Sequence, residues 1–383
     1  MRVLRYVLFV FLALVCTAAT VADAQLAEPK ISATEAILIE ASTGRVIWEK
    51  NADEHRTPAS MTKMMTGILA LENLTDRTEV QISANAAGTE DVPMGFVQGD
   101  LFSAGELEKG LLLLSDNGAA VALAEEMAGS VPAFAEMMNA KAEEIGMEDT
   151  HFVNPNGLTE PGHYSTARDM AKLARYAMQN KEFRDIVGTK KAMVSWLLPK
   201  NKAILAENTN ELLGEYEGAT GIKTGWTNAA GGCLAASARR NGIELIAVVM
   251  NAPSVDDRFT DARAMLDYGF ENVKLAHGVN KDRFTASSWV KGGQAGKVDL
   301  SLISDIDFPL IGGEDKRHYK VAYQMPKVLS APLKAGEPVG KAVLEYNGQD
   351  VGSINIIVAK NVPAGSSFLS VLVSWFEPFF QHL

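Results

Sequence analysis

The sequence predicts an α/β (α+β) domain with an antiparallel sheet flanked by helices, followed by a small all-β sandwich domain and a C-terminal amphipathic segment. Three observations carry this. Between residues 25 and 274, β-forming stretches joined by short hairpin turns alternate with long amphipathic helices, and hairpin links make neighbouring strands antiparallel. From 275 to 363 the helical period disappears, and short strands separated by Gly, Pro and Asn turns take over. From 364 to 383 apolar and aromatic residues crowd a stretch too short to span a bilayer.

At the N-terminus, Arg2 and Arg5 precede an apolar run from Tyr6 to Val15, and Ala22-Asp23-Ala24 supplies small residues for cleavage. Residues 1–24 are therefore expected to be a secretory signal peptide removed before Gln25, not a membrane span. Val15 is too large for the small residue usual before a lipidated cysteine, so Cys16 is not expected to carry lipid. Ala36 to Glu40 and Val46 to Trp48 form a hairpin around Ser42-Thr43-Gly44. Thr57-Pro58 reads as a helix start, and Met61 to Leu71 continues with good helix formers. Glu106 to Met127 reads as helical, broken at Asp116-Asn117-Gly118 after the run Leu111 to Leu114. Further helices are expected over Val131 to Ile145, Thr166 to Gln179 and Asp257 to Phe270. Gly218 to Trp226 is strand-like, and a hairpin follows: Cys233 to Ala238, the turn Arg240-Asn241-Gly242, then Ile243 to Met250. In the tail, Phe368, Trp375, Phe376, Phe379 and Phe380 fit an interfacial helix on a membrane surface. Positions 361–383 contain no lysine and Glu377 is acidic, which leaves docking onto the protein or a second subunit as the competing reading.

The 383 residues carry 36 Lys and Arg against 47 Asp and Glu, a formal charge of −11 that argues against a nucleic-acid partner. Loss of Cys16 with the leader leaves Cys233 alone, so no intramolecular disulfide is expected. Six histidines, at 55, 151, 163, 277, 318 and 382, show no zinc-type spacing, and no metal or cofactor is expected. There is no internal repeat and no low-complexity tract.

Three polar triplets carry the chemistry: Ser60-Met61-Thr62-Lys63, Ser115-Asp116-Asn117 and Lys223-Thr224-Gly225. Each pattern alone is weak. A second Ser-x-x-Lys occurs at Ser288 to Lys291, and further Ser-x-Asn matches occur at Ser83 and Ser353. Context separates them. Ser288 lies among β-formers, where residues three apart face opposite sides of a sheet, so its lysine points away. Ser60 begins a helix, where residues three apart share a face and Lys63 neighbours the hydroxyl. Serine needs a base, and lysine serves only when burial or a second cation lowers its pKa. Met61, Met64, Met65 and Ile68 supply the burial, and Lys223 the second cation. Lys223 on an open strand suits a carboxylate, and Gly225 suits close approach of a substrate backbone.

The set resembles the active site of the penicillin-recognising serine enzymes. The whole chain is similar to the low-molecular-mass penicillin-binding proteins, the D-alanyl-D-alanine carboxypeptidases. Asn154-Pro155-Asn156-Gly157-Leu158, Ser165-Thr166-Ala167-Arg168-Asp169-Met170 and Pro332-Leu333-Lys334-Ala335-Gly336 extend the likeness. The resemblance implies a β-lactamase-like transpeptidase fold, peptidoglycan stem peptides as substrates and β-lactams as covalent inhibitors. It implies Ser60 as acylated nucleophile, Lys63 as base, Ser115 as proton relay, and Asn117 holding both Lys63 and substrate backbone. It further implies that Lys223 supplies electrostatics, that Thr224 binds the terminal carboxylate with the help of Arg258, and that the backbone N–H groups of Ser60 and Trp226 form the oxyanion hole. Localisation would be extracytoplasmic, peripheral to the membrane.

Two positions depart from the pattern. Trp226 stands where some relatives have histidine, so no deacylation role of that histidine carries over. Thr209 stands in Asn208-Thr209-Asn210-Glu211-Leu212 where some relatives carry arginine. Three other functions compete: a class A β-lactamase, a transpeptidase, and a non-catalytic wall-binding protein. The region Asp149 to Pro155 lacks the Glu-x-x-Leu-Asn that a class A β-lactamase uses for deacylation. The same acyl-enzyme could pass to an amine, as in a transpeptidase. Intact nucleophile and base argue against pure binding.

Overall fold

The structure is a computed structural model that describes residues 27–365. The leader expected at 1–24 and, but for its first two residues, the tail expected at 364–383 lie outside the described residues. Strands β1 (Glu35–Glu40) and β2 (Val46–Lys50) open the fold. Two small ribbons follow: β3 (Glu79–Gln81) with β4 (Leu101–Ser103), and β5 (Lys191–Ser195) with β6 (Ala203–Glu207). Next come β7 (Ala219–Thr227), β8 (Gly231–Arg240) and β9 (Ile243–Ala252). The main sheet has the order β2-β1-β9-β8-β7 and is antiparallel throughout. β7 therefore forms an open edge.

Both faces of this sheet are covered, which is why β1 and β9 read as nearly continuous apolar runs. On β1, Ile37 and Ile39 face the larger core, built with the helices Lys63–Asn73, Asn117–Ala128 and Ala167–Ala177. Ala36 and Leu38 face the other side, under the helix Asp257–Asn272. Side-chain alternation along each strand thus feeds two cores at once.

Two local readings change. The turn Ala59–Thr62 is 3₁₀, and α-helix begins only at Lys63. The stretch expected to be helical from Glu106 runs as α over Ala104–Lys109 and as π over Gly110–Leu114. It then breaks at Ser115, whose φ of 64° is left-handed, and Asn117 and Gly118 already belong to the next helix. Asp116 makes the restart by accepting the Ala119 N–H, at 2.8 Å.

Beyond the helix ending at Asn272, the chain is β-rich: β10 (Val273–Val279), β11 (Ala286–Lys291), β12 (Lys297–Leu302), β13 (Ile306–Ile311), β14 (Tyr319–Gln324), β15 (Val328–Ser330), β16 (Pro338–Tyr346) and β17 (Gln349–Val358). Six of them form a sheet of order β14-β16-β17-β12-β11-β15, parallel only at β11–β15, while β10 and β13 pair separately. Ile306 and Phe308 of β13 share one core with Leu300, Leu344 and Ile356 of the larger sheet. The β1–β2 turn docks this unit: the Arg45 guanidinium bonds Glu314, donates to Tyr319 Oη at 2.6 Å and lies 4.4 Å from the Tyr346 ring centroid. Among the described residues, no helix is long and apolar enough to cross a membrane.

Candidate active site

The turn that carries Ser60 is gripped between two glycines. Gly225 of β7 lies on one side, where a Cβ would sit 3.1 Å from both Ala59 Cβ and Ser60 N. Gly157 lies on the other, at φ 86°, where a Cβ would sit 1.9 Å from the Ala59 carbonyl oxygen. A side chain at Gly157 has no room, so the loop 153–158 can close on the turn only because this residue is glycine. Ala59 itself is buried and left-handed, with φ 49°.

Lys63 is fully buried, and its Nζ has three neighbours: Ser60 Oγ at 2.8 Å, Asn117 Oδ1 at 2.6 Å and the Asn156 carbonyl at 2.6 Å. Burial brings the ammonium pKa down to about 7, against the opposing pull of Asp116 and Asp91. Near neutrality much of the amine is therefore unprotonated, with two N–H groups and one lone pair. Two of its three neighbours can only accept. The lone pair is thus left to the third, the Ser60 hydroxyl, whose proton then points at Nζ. Asn117 is oriented for this by donating Nδ2–H to the Glu90 carbonyl, at 2.8 Å. Asp116 anchors the same loop by accepting the Met94 N–H at 2.9 Å. Burial pushes the Asp116 carboxyl up to about 6, while the backbone N–H groups of Met94, Ala119 and Gly118 and the charge of Lys63 pull the other way.

The structure brings Ser60, Lys63 and Asn117 into direct contact. Ser115 stands at the left-handed bend two residues before Asn117, half-buried. Among the described residues, no direct hydrogen bond joins its hydroxyl to Ser60 or Lys63. Lys223 is buried and donates to its neighbour's carbonyl, Thr224 O, at 3.0 Å. Burial, then the charges of Lys63 and Arg258, hold its pKa well below the usual lysine range. Arg258 is also buried: Nη1 donates to the Gly225 carbonyl at 2.8 Å, and Nε has no hydrogen-bond partner in the described structure. Burial lowers its pKa, offset in part by Cys233, Glu211 and Asp256. Trp226 is 42 % exposed on the open edge strand. Lys223 and Arg258 lie close enough for their charges to oppose each other, and an arriving anion would favour the charged form of both.

Sequence reasoning missed three contributors. The Asn156 carbonyl is one; the turn-forming run Asn154 to Gly157 marks a tight loop but not what it touches. Thr209, which the sequence marks only as a departure from the pattern, is another: its hydroxyl lies 2.6 Å from Thr224 Oγ1, a contact the sequence does not show. The third is His163, buried behind the nucleophile turn. Its Nδ1 accepts the Val153 N–H at 3.2 Å, so Nε2 carries the proton and donates to Thr62 Oγ1 at 2.9 Å. Burial pushes the His163 pKa down to about 4, which keeps the ring neutral. The competing motifs stay apart from this site. Ser288 on β11 is buried and donates to the Pro326 carbonyl at 2.7 Å, and Ser83 caps the helix Ala84–Ala87.

Comparison with known proteins finds similarity over nearly the whole chain. A family model described as D-alanyl-D-alanine carboxypeptidase matches residues 22–254, and one described as penicillin-binding protein 5, C-terminal domain, matches residues 270–364. The chain is 34% identical over 346 residues to the D-alanyl-D-alanine carboxypeptidase DacF of Bacillus subtilis, covering 89% of this chain and 88% of that one. It is 33% identical over 371 residues to DacC of Escherichia coli, covering 94% and 91%. Among solved structures, penicillin binding protein 5 from Haemophilus influenzae superposes with a TM-score of 0.65 at 31% identity, over 88% of this chain and 99% of that one.

Proposed function

The chain belongs to the D-alanyl-D-alanine carboxypeptidase family, and on that premise we propose that it removes the terminal D-alanine from peptidoglycan stem peptides through an acyl-enzyme on Ser60. β-Lactams acylate the same serine. The observation that carries this reading is the set of neighbours around Lys63, two pure acceptors and one hydroxyl, which leaves the amine lone pair for the serine proton.

In the proposed reaction, Ser60 Oγ bonds to the carbonyl carbon of the penultimate residue as its proton passes to Lys63 Nζ. The developing oxyanion is held by the backbone N–H groups of Ser60 and Trp226. The nearness of β7 to the nucleophile turn supports this, since a Cβ on Gly225 would lie 3.1 Å from Ser60 N. The carbon–nitrogen bond then breaks, and D-alanine leaves with the proton, relayed by Ser115. Asn117 holds the substrate backbone. Lys223, Thr224 and Arg258 receive the terminal carboxylate, a role supported by the buried Arg258 guanidinium, which donates to the Gly225 carbonyl on β7. Water, activated in turn by Lys63, hydrolyses the ester and restores Ser60.

The leader at 1–24 directs export, the peptidase unit spans 25–274, and the β unit spans 275–363. The aromatic tail at 364–383 rests on the membrane surface, which puts the reaction on the outer side. The charge and aromatic patterning of the two ends supports this placement.

The test is intact-protein mass after incubation with benzylpenicillin. Wild type is expected to gain one penicillin, Ser60→Ala none, and Ser288→Ala one. An adduct that persists in Ser60→Ala would remove the nucleophile assignment. Free D-alanine leaves in either case, so the fate of the acyl group separates the two: a shortened peptide marks hydrolysis, and a conjugate with an added amine marks transfer.

A further inference from the structure

The hydroxyl oxygen of Thr209 lies 2.6 Å from that of Thr224. We propose that Thr209 is a positioning residue: it donates to Thr224 Oγ1 and so leaves the Thr224 proton free to donate to the terminal carboxylate of the substrate. The inference rests on the reading that Thr224 receives that carboxylate.

Two hydroxyls at this distance share one proton, so one donates and the other accepts. If Thr224 gave its proton to Thr209, it would turn lone pairs toward an incoming carboxylate, which is itself only an acceptor. The opposite direction makes a chain of donors ending on the anion, and each bond in such a chain polarises the next. Exposure favours that direction. Thr209 is open to water, which can serve its oxygen, whereas Thr224 is only 5 % exposed. The Thr209 backbone is also held from two sides. Its N–H donates to the Leu113 carbonyl at 3.2 Å, just before Ser115. The adjoining Asn208 Nδ2 donates to the carbonyls of Val187 and Thr189 at 3.1 and 3.0 Å. A backbone held this way keeps the Thr209 side chain beside Thr224, where its donation favours a ligand that accepts from Thr224.

The test compares acylation rates by benzylpenicillin and by its methyl ester, which lacks the free carboxylate, in wild type, Thr209→Val, Thr209→Ala and Thr209→Ser. Valine fills the hydroxyl's place with a methyl and keeps water out, while alanine lets a water substitute. Thr209→Val is expected to slow benzylpenicillin about tenfold, the loss of one hydrogen bond to a charged ligand's partner. The methyl ester should stay within about twofold of wild type, as for a surface change elsewhere. Thr209→Ser should restore the rate, and Thr209→Ala should fall between. A Thr209→Val enzyme that reacts with benzylpenicillin at the wild-type rate, or that slows equally with both ligands, overturns the inference and leaves the acyl-enzyme reading standing. A folded wild type that benzylpenicillin does not acylate overturns both.

Discussion

Replacing Gly157 by alanine should damage catalysis out of proportion to its effect on stability. Two costs arise at this position. Gly157 has φ 86°, a region that costs an L side chain about 1–2 kcal/mol. Its new Cβ would also lie 1.9 Å from Ala59 O and 2.4 Å from Ala59 C, both backbone atoms that cannot rotate away. Restoring an ordinary contact requires the loop to retreat by roughly 1.5 Å. The next residue back is Asn156, whose carbonyl accepts from Lys63 Nζ at 2.6 Å. A shift of that size breaks the bond and frees the lysine to rotate. A misplacement near 1 Å can cost about a hundredfold in rate, so acylation by benzylpenicillin should fall by about that factor. Gly162 provides the control. It has the same φ of 86° in the same loop, yet a Cβ there meets its nearest atom at 3.8 Å. Gly162→Ala should therefore carry the backbone cost alone, lowering the melting temperature with little change in rate. Stopped-flow acylation and thermal unfolding of the two variants read both quantities. Equal rates in the two variants would refute the argument that Gly157 sets the position of Lys63.

Two further outcomes follow from buried ionisable groups. Lys63 titrates near 7 and accepts the Ser60 proton only when neutral, so acylation should rise with pH through about 7 and level off above it. A rate that is flat or falling between about pH 5 and pH 9 would exclude Lys63 as the base. Glu108 is buried with Oε2 lacking a hydrogen-bond partner, and burial, with Asp76 and Glu182, pushes its carboxyl up to about 8. Between its ordinary value and 8 the folded state binds the extra proton, so this contribution to stability is full at low pH and is lost as pH rises through 8. Glu108→Gln should therefore melt higher than wild type at pH 9 and gain less at pH 5. An equal difference at both pH values would show that ionisation of Glu108 is not responsible.

What the sequence determined by itself is what depends on neighbours along the chain. The hairpin around Asn241-Gly242, the turn at Ser42 to Gly44 and the closeness of Ser60 to Lys63 all follow from short-range geometry and turn chemistry. The local dismissal of Ser288 also rests on strand geometry, since β11 holds it. The apolar neighbours of Lys63 announced its burial. The exact helix limits were less legible, because the π segment at Gly110–Leu114 and the 3₁₀ turn at Ala59–Thr62 are adjustments to what packs against them.

Only the tertiary structure decided how the strands order, with β1 placed between β2 and β9, and what completes the site. Asn156 reaches Lys63 across 93 residues through a backbone carbonyl, which no side-chain motif encodes. The Thr209–Thr224 contact joins a loop to a strand edge, and the direction of a hydroxyl depends on what surrounds it. The Lys63 pKa is likewise a property of the closed site, because desolvation requires the loop and strand that Gly157 and Gly225 allow to approach. Motifs announce which groups are present; close approach of distant backbone fixes their protonation and direction, and that is a property of packing.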